Sequence, residues 1–194
     1  MVVWMLVNDK DWGRGSKMIL TTTRLHLRPF RKTDLAAVQQ IYSNPKLEVM
    51  AGWAPQTTLA GSQRVLADFM HSDEVFALVS RHTQQVIGSI GIHRQAPEGT
   101  TRELGFILAE AYWGQGLMTE AVQAMTAYGF DQLQLTAIWV GHFQSNLQSQ
   151  RVIEKAGFHF EYELERPQLF ADDQPTTECY YQLTQAEYRH QKAK

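Results

Sequence analysis

The stretch Thr101-Arg102-Glu103-Leu104-Gly105-Phe106-Ile107-Leu108-Ala109 runs through Tyr112-Trp113-Gly114-Gln115-Gly116 into Leu117-Met118-Thr119-Glu120-Ala121, and it decides the fold. Its first part reads as a strand. Gly114-Gln115-Gly116 then opens a helix that reaches about Phe130, and Leu135–Val140 reads as the next strand. Strand, helix and strand in that order form a β-α-β unit whose two strands run parallel. The first N–H groups of such a helix have no partner within it, and the positive end of its dipole lies there. The turn therefore fits an anion site. It fits equally a tight turn that needs glycine and binds nothing. No Gly-Lys-Ser/Thr follows, so it is not a Walker loop, and the third glycine of a dinucleotide fingerprint is missing.

Upstream, Ile19–Phe30 reads as one strand, with Leu25, Leu27 and Pro29 alternating with Arg24, His26 and Arg28. Thr33 fits the N-cap of a helix carrying Leu35, Val38, Ile41 and Tyr42 on one stripe, with Pro45 just after its end. A second helix is expected over Thr58–Met70, and strands over Val75–Ser80 and Val86–Arg94. Downstream, a helix from Asn146 to Ala156 stops at Gly157. Phe158–Leu164 and Glu178–Leu183 then close the chain as strands. The order β-α-α-β-β-β-α-β-α-β-β predicts an α/β fold: a mixed sheet with helices on its faces. No repeat or linker divides it, so 18–194 reads as a single domain. Residues 1–17 read as an N-terminal extension outside the fold, with Met18 an alternative start.

The full chain of 194 residues carries a net charge of −2 with 20% charged residues. That balance gives no electrostatic footprint for nucleic acid and no disorder-like composition. The single cysteine, Cys179, excludes an internal disulfide framework and a multi-cysteine zinc site, and the cytoplasm is the expected compartment. The seven histidines show no metal-ligand spacing, so no metal is expected; His142 reads as a surface residue on a loop. No apolar stretch is long enough for a bilayer, so no membrane partner is expected.

Glu103 is the odd residue of its strand: a carboxylate sharing a face with Gly105 and Ile107. It fits a solvent-facing strand end paired with Arg102, or a general base at the centre of a sheet. Asn146 and Ser149, three apart at a helix start, fit simple capping or a shared ligand-facing surface. Trp53, Trp113 and Trp139 read as core or groove wall, and Cys179 as a buried thiol.

Three blocks together resemble the GNAT N-acetyltransferase superfamily, and most closely its RimJ/RimL branch of ribosomal-protein N-terminal acetyltransferases. They are Leu25-His26-Leu27-Arg28-Pro29-Phe30 with Thr33-Asp34-Leu35, the stretch from Arg102 to Ala121, and Asn146-Leu147-Gln148-Ser149-Gln150-Arg151-Val152-Ile153-Glu154-Lys155-Ala156-Gly157-Phe158. The resemblance covers roughly residues 19–185. It implies the GNAT acyl-CoA N-acyltransferase fold, with two parallel strands splayed apart, and acetyl-CoA as donor.

By that resemblance the pyrophosphate sits on backbone around Gln115, Gly116, Leu117, Met118 and Thr119, beside Trp113 and Gly114. The pantetheine arm lies against Phe106, Ile107 and Leu108, Asn146 reaches the cofactor, and Ser149 lies near the thioester sulfur. Trp113 stands where the superfamily commonly has Gln or Arg, which matches the branch. Met118 replaces a small residue, and Ile153 stands where many relatives carry the tyrosine that protonates the thiolate; Ser149 is the remaining donor. The implied reaction is direct acetyl transfer to a primary amine with Glu103 as general base. The acceptor is a protein N-terminus or, alternatively, a small-molecule amine such as a polyamine; a non-catalytic acyl-CoA-binding module is a further alternative. Tyr42, Trp53 and Phe170 are candidate walls of the acceptor groove. Edge strands near the C-terminal end could pair two copies as a homodimer.

Overall fold

Alternation along the central strands dictates where the sheet buries its two faces. The computed structural model describes residues 3–7, 17–51, 56–96, 99–166 and 175–193. Among the described residues nine strands form one sheet: β1 (Val3–Val7), β2 (Lys17–Thr21), β3 (Leu25–Arg28), β4 (Val75–Ser80), β5 (Val86–Arg94), β6 (Thr101–Leu108), β7 (Ala137–Phe143), β8 (His159–Arg166) and β9 (Thr176–Thr184). Their order across the sheet is β1-β2-β3-β4-β5-β6-β7-β9-β8. Neighbours are antiparallel except β6 and β7, which the predicted β-α-β unit makes parallel.

The helices are α1 (Leu35–Tyr42), α2 (Pro45–Ala51), α3 (Leu59–His71), α4 (Leu117–Asp131), α5 (Leu147–Lys155) and α6 (Gln185–Lys192). Leu25, Leu27, Leu78, Ile90, Ile92, Leu104 and Ile138, nearly all solvent removed, pack with α4 into the larger core. Burying each such side chain contributes roughly 1.5–3 kcal/mol. On the other face, Ala77, Val79 and Ile107 pack with Phe30, Val38 and Ile41, so α1 and α3 cover only the β3–β6 side there.

Four local readings are corrected. The expected single strand Ile19–Phe30 is a hairpin: Leu25 N–H donates to the Thr22 hydroxyl oxygen (3.0 Å), and the turn places β2 antiparallel to β3. Thr33 is not a helix cap; it lies in a one-turn 3₁₀ helix, Lys32–Asp34, and the Asp34 carboxylate turns back to accept from Arg31 N–H (2.7 Å). Pro45 does not merely follow a helix; it opens α2, where its fixed φ suits the first helical position. Helix α6, absent from the sequence reading, is started by a capping box between Thr184 and Glu187. Within the stretch read as an extension, Val3–Val7 pairs antiparallel with β2.

Candidate active site

The parallel pair β6–β7 stays together only from Thr101 to Leu104 against Ala137 to Val140. Beyond it the two strands part. From Gly105 onward, the β6 edge turned toward β7 has no strand partner, while its other edge stays paired with β5. This wedge holds two chambers.

The first chamber, about 300 Å³, lies between the β6 end, the N-terminus of α4 and the face of α5. The turn before α4 requires glycine for backbone reasons: φ is +72° at Gly114 and +71° at Gly116, and a Cβ at Gly114 would meet nothing within 4 Å. The first helical hydrogen bond of α4 runs from Glu120 N–H to the Gly116 carbonyl (3.1 Å), and no side chain caps the helix. The N–H groups of Leu117, Met118 and Thr119 therefore have no helical acceptor, and they sit at the chamber wall. Arg151 and Lys155 of α5 line the same space, and among the described residues no carboxylate does. Free N–H groups and two cations make this chamber suited to an anion.

Of the residues expected to hold the donor, Phe106, Ile107, Leu108, Trp113, Gly114, Gly116, Leu117, Met118, Thr119, Asn146 and Ser149 all border this chamber. Gln115 is the exception: its amide donates back to the Ala111 carbonyl (3.2 Å), and its own carbonyl accepts from Arg24 Nη1 (2.7 Å). Trp113 is fixed by its indole N–H, which donates to the Leu108 carbonyl (2.8 Å). Asn146 caps α5: its carbonyl oxygen accepts from Ser149 N–H and its amide donates to the Met50 carbonyl, each at 3.0 Å. The capping reading and the position beside the chamber hold together. Ile153 is fully buried in the larger core.

The second chamber, about 360 Å³, lies on the far side of Phe106, Asn146 and Ser149, which border both spaces. Glu103 and Glu178 line it and, among the described residues, no Lys or Arg does, so its charge is opposite to that of the first. Arg102 does not pair with Glu103; its Nη1 donates to the Ile92 carbonyl (3.3 Å). Glu178, by contrast, accepts from Arg166 Nε (2.7 Å) and from the Tyr180 hydroxyl (3.0 Å). Burial, the bond to Glu178 and the nearby charge of Glu103 push the Tyr180 phenol up to about 12. Tyr42 closes the roof with its hydroxyl 2.6 Å from that of Ser89. Trp53 and Phe170, the other expected groove walls, lie outside the described residues.

Sequence reasoning missed Arg24, Arg151, Lys155 and His93. The two α5 cations follow Gln148 at helical spacing, a signal present in the sequence. Arg24 needs a tertiary contact across the fold. His142 corrects the surface reading: it lies in β7, only 5% exposed, with Nδ1 2.9 Å from the Phe143 carbonyl. Cys179 is the buried thiol expected, pushed above its ordinary value by burial and by Glu163.

Comparison with known proteins agrees with this geometry. The family model for an acetyltransferase (GNAT) domain matches residues 24–159. The chain is 27% identical over 148 residues to the uncharacterized N-acetyltransferase YoaA of Bacillus subtilis (strain 168), covering 74% of this chain and 84% of that one. It superposes on the acetyltransferase (GNAT family) from Bacillus anthracis with a TM-score of 0.80 at 24% identity, over 87% of this chain and 99% of the other. It also superposes on the spermidine N-acetyltransferase from Vibrio cholerae in complex with CoA and spermine, with a TM-score of 0.75 at 18% identity, covering 87% and 99%. A wedge between parallel strands, a glycine turn feeding a helix N-terminus and a family match spanning both place the chain in the GNAT acetyltransferase family, as an acetyl-CoA-dependent N-acetyltransferase.

Proposed function

We propose that the chain moves acetyl from acetyl-CoA to the α-amine of a protein N-terminus, in the manner of the RimJ/RimL branch, with Glu103 as general base. One observation carries the reading: a carboxylate without a hydrogen bond or ion pair among the described residues lines the chamber that meets the donor chamber at Phe106 and Ser149. The donor's diphosphate would rest on the N–H groups opening α4, with Arg151 and Lys155 beside it, and its arm on the unpaired β6 edge. Backbone N–H near Phe106 would polarise the thioester carbonyl.

The amine must be neutral to attack. An α-amine of pKa about 8 loses about 1.4 kcal/mol to deprotonation at pH 7, against about 4.6 kcal/mol for a lysine of pKa about 10.4. The α-amine is the easier acceptor. Glu103 takes its proton through a water, the C–N bond forms and the C–S bond breaks. The thiolate then takes a proton from Ser149 or water. A lone reduced cysteine and this donor suit the cytoplasm.

Thermal unfolding with acetyl-CoA tests the donor half. A ligand at 100 times its dissociation constant stabilises by about 2.7 kcal/mol, a shift of roughly 5–10 °C for a chain of this size. Mass spectrometry after incubation with peptides bearing free N-termini, and separately with spermine, tests the acceptor half. Acetyl on the peptide α-amine supports the proposal; acetyl on spermine alone moves it to small-molecule amines. Binding without transfer to any acceptor leaves a CoA-binding module.

A further inference from the structure

His93 stands beside Glu103 on the floor of the second chamber. The two are direct partners across the antiparallel β5–β6 ladder, and the next pair on the same face, two positions along, is Gly91 with Gly105. Residues opposite each other in such a ladder place their Cβ atoms about 4.5–5.5 Å apart on one face. The two glycines are what let the imidazole lie over the sheet. A Cβ built on Gly91 would stand 2.3 Å from His93 Nε2, and one on Gly105 would stand 3.6 Å from it. Nε2 thus lies over a bare strip of backbone inside the chamber that both residues line.

The other ring nitrogen, Nδ1, lies 3.6 Å from a Glu74 carboxylate oxygen. That is an ion-pair distance, too long for a hydrogen bond. The second oxygen of Glu74 takes Arg94 Nη1 and lies 3.9 Å from Arg102 Nη1. Arg94 is itself gripped by Asp73 (2.9 Å). Glu74 is therefore held as a fixed carboxylate behind the ring. The charged and titratable groups around the imidazole are Glu74 and Asp73 from the α3–β4 turn and Arg94 on its own strand. Glu103 and Arg102 come from β6 and Glu178 from β9, while His142 and Tyr42 line the same chamber. The His93 side chain is 47% exposed, so its outer edge reaches solvent.

We propose that His93 is a second base of the acetyl transfer, sharing with Glu103 the water that takes the ammonium proton, with Glu74 as its positioning carboxylate. Imidazole is the side chain most often used for such a proton transfer, and Nε2 lies inside the chamber that Glu103 lines. The proton passes from the amine nitrogen through the water to Nε2. The freed lone pair forms the C–N bond, the C–S electron pair leaves with sulfur, and the proton on His93 departs to solvent along the exposed edge. The inference rests on the acetyltransferase reading with Glu103 in the same chamber.

The test uses the full chain and whichever probe the wild type acetylates, an N-terminal peptide or spermine. His93→Ala is expected to lower kcat roughly 10²–10⁴-fold at pH 7, to leave KM for acetyl-CoA unchanged and to alter the acid limb of the kcat/KM profile. Added imidazole is expected to restore part of the rate, because Gly91 and Gly105 leave room for it. A structural role would give no imidazole rescue and an unaltered profile. His93→Ala with wild-type kcat, or a loss that imidazole does not touch, overturns the proposal while the acetyltransferase reading stands.

If no probe is acetylated, the His93 ring resonance in the free protein decides, assigned by its absence in His93→Gln. It is expected to move when Glu103→Gln is made, and a resonance that ignores that change overturns the proposal. Acetyl-CoA failing to stabilise the wild type would instead remove the underlying reading.

Discussion

Arg24 holds Glu120 across the sheet and so fixes the start of α4. Its Nε donates to one carboxylate oxygen (2.6 Å), while its backbone N–H (2.8 Å) and the Thr22 hydroxyl (2.6 Å) donate to the other. The same guanidinium reaches the Gln115 carbonyl at 2.7 Å. One side chain from the β2–β3 turn thereby ties the middle of the glycine turn to the first turn of α4. The helix can present its N–H groups in a fixed direction before any ligand arrives.

That clamp fixes the helix start proposed to hold the donor, so Arg24→Ala is expected to raise KM for acetyl-CoA roughly threefold to tenfold, the size of one ordinary hydrogen bond, with kcat little changed. The guanidinium is 46% exposed, and its removal is expected to cost little global stability. Steady-state kinetics over a range of acetyl-CoA checks the first expectation and a melting curve the second.

Glu120 also sets a pH dependence. Burial pushes its carboxyl up, but the hydrogen bonds from Thr22 and Arg24 and the Arg24 charge outweigh burial, leaving it below its ordinary value of 4.5. A carboxyl lowered in the folded state stabilises fully above the unfolded value. The stabilisation is lost as pH falls through the lower folded one. Urea midpoints from pH 6 down to 3 are expected to fall less steeply in Glu120→Gln than in the wild type.

Glu103→Gln keeps size and polarity and removes the carboxylate proposed as a base. Turnover is expected to fall roughly 10²–10⁴-fold. The acetyl-CoA-dependent melting shift should persist, because Glu103 lies in the chamber away from α4. Equal turnover in this variant would take Glu103 out of the chemistry.

The β-α-β centre was legible because alternation, a double-glycine turn and helical periodicity agree over Arg102–Val140. The β2–β3 hairpin was not. Its turn, Thr22-Thr23-Arg24, lacks Gly and Pro, and its threonines are good strand formers, so nothing local breaks the strand reading. What makes it a turn is the Thr22 hydroxyl accepting from Leu25 N–H and its bond to Glu120, which lies far along the chain. Helix α6 had a readable start, Thr184-Gln185-Ala186-Glu187, but only Tyr188 of the helix is buried, so no apolar stripe announced it. The residues that border the first chamber cluster in two local motifs and could be read in order. His93 acquires its setting only from the register that puts it opposite Glu103 and above Gly91.

Gly116→Ala tests whether the turn or the close approach matters. At φ of +71° an alanine is strained by about 1–2 kcal/mol, and its Cβ would stand 3.6 Å from Arg24 Nη2, an ordinary contact. The expected result is a melting loss of a few degrees and weaker acetyl-CoA binding from a displaced α4 start. A variant that melts like the wild type would show that the turn relaxes at no cost.

Asp34 anchors the helical cover of the second chamber. Its carboxylate accepts two bonds from the Arg28 guanidinium (2.7 and 2.9 Å) and one from Arg31 N–H (2.7 Å). The side chains of Arg28 and Asp34 are only 13% and 6% exposed. Removing one partner of such a pair leaves the other charge buried and unpaired, so Asp34→Ala is expected to cost about 3–5 kcal/mol. For a chain of this size that lowers the melting temperature by roughly 10–15 °C. Arg28→Met with Asp34→Leu removes both charges and should recover much of the loss, though the Arg31 N–H then lacks its acceptor. A double-mutant cycle in urea separates the pair from the two single effects. The carboxylate joins the end of β3 to the turn that starts α1, and α1 carries Tyr42 over Ser89. Asp34→Ala measured well below its melting temperature should therefore weaken acceptor binding more than acetyl-CoA binding.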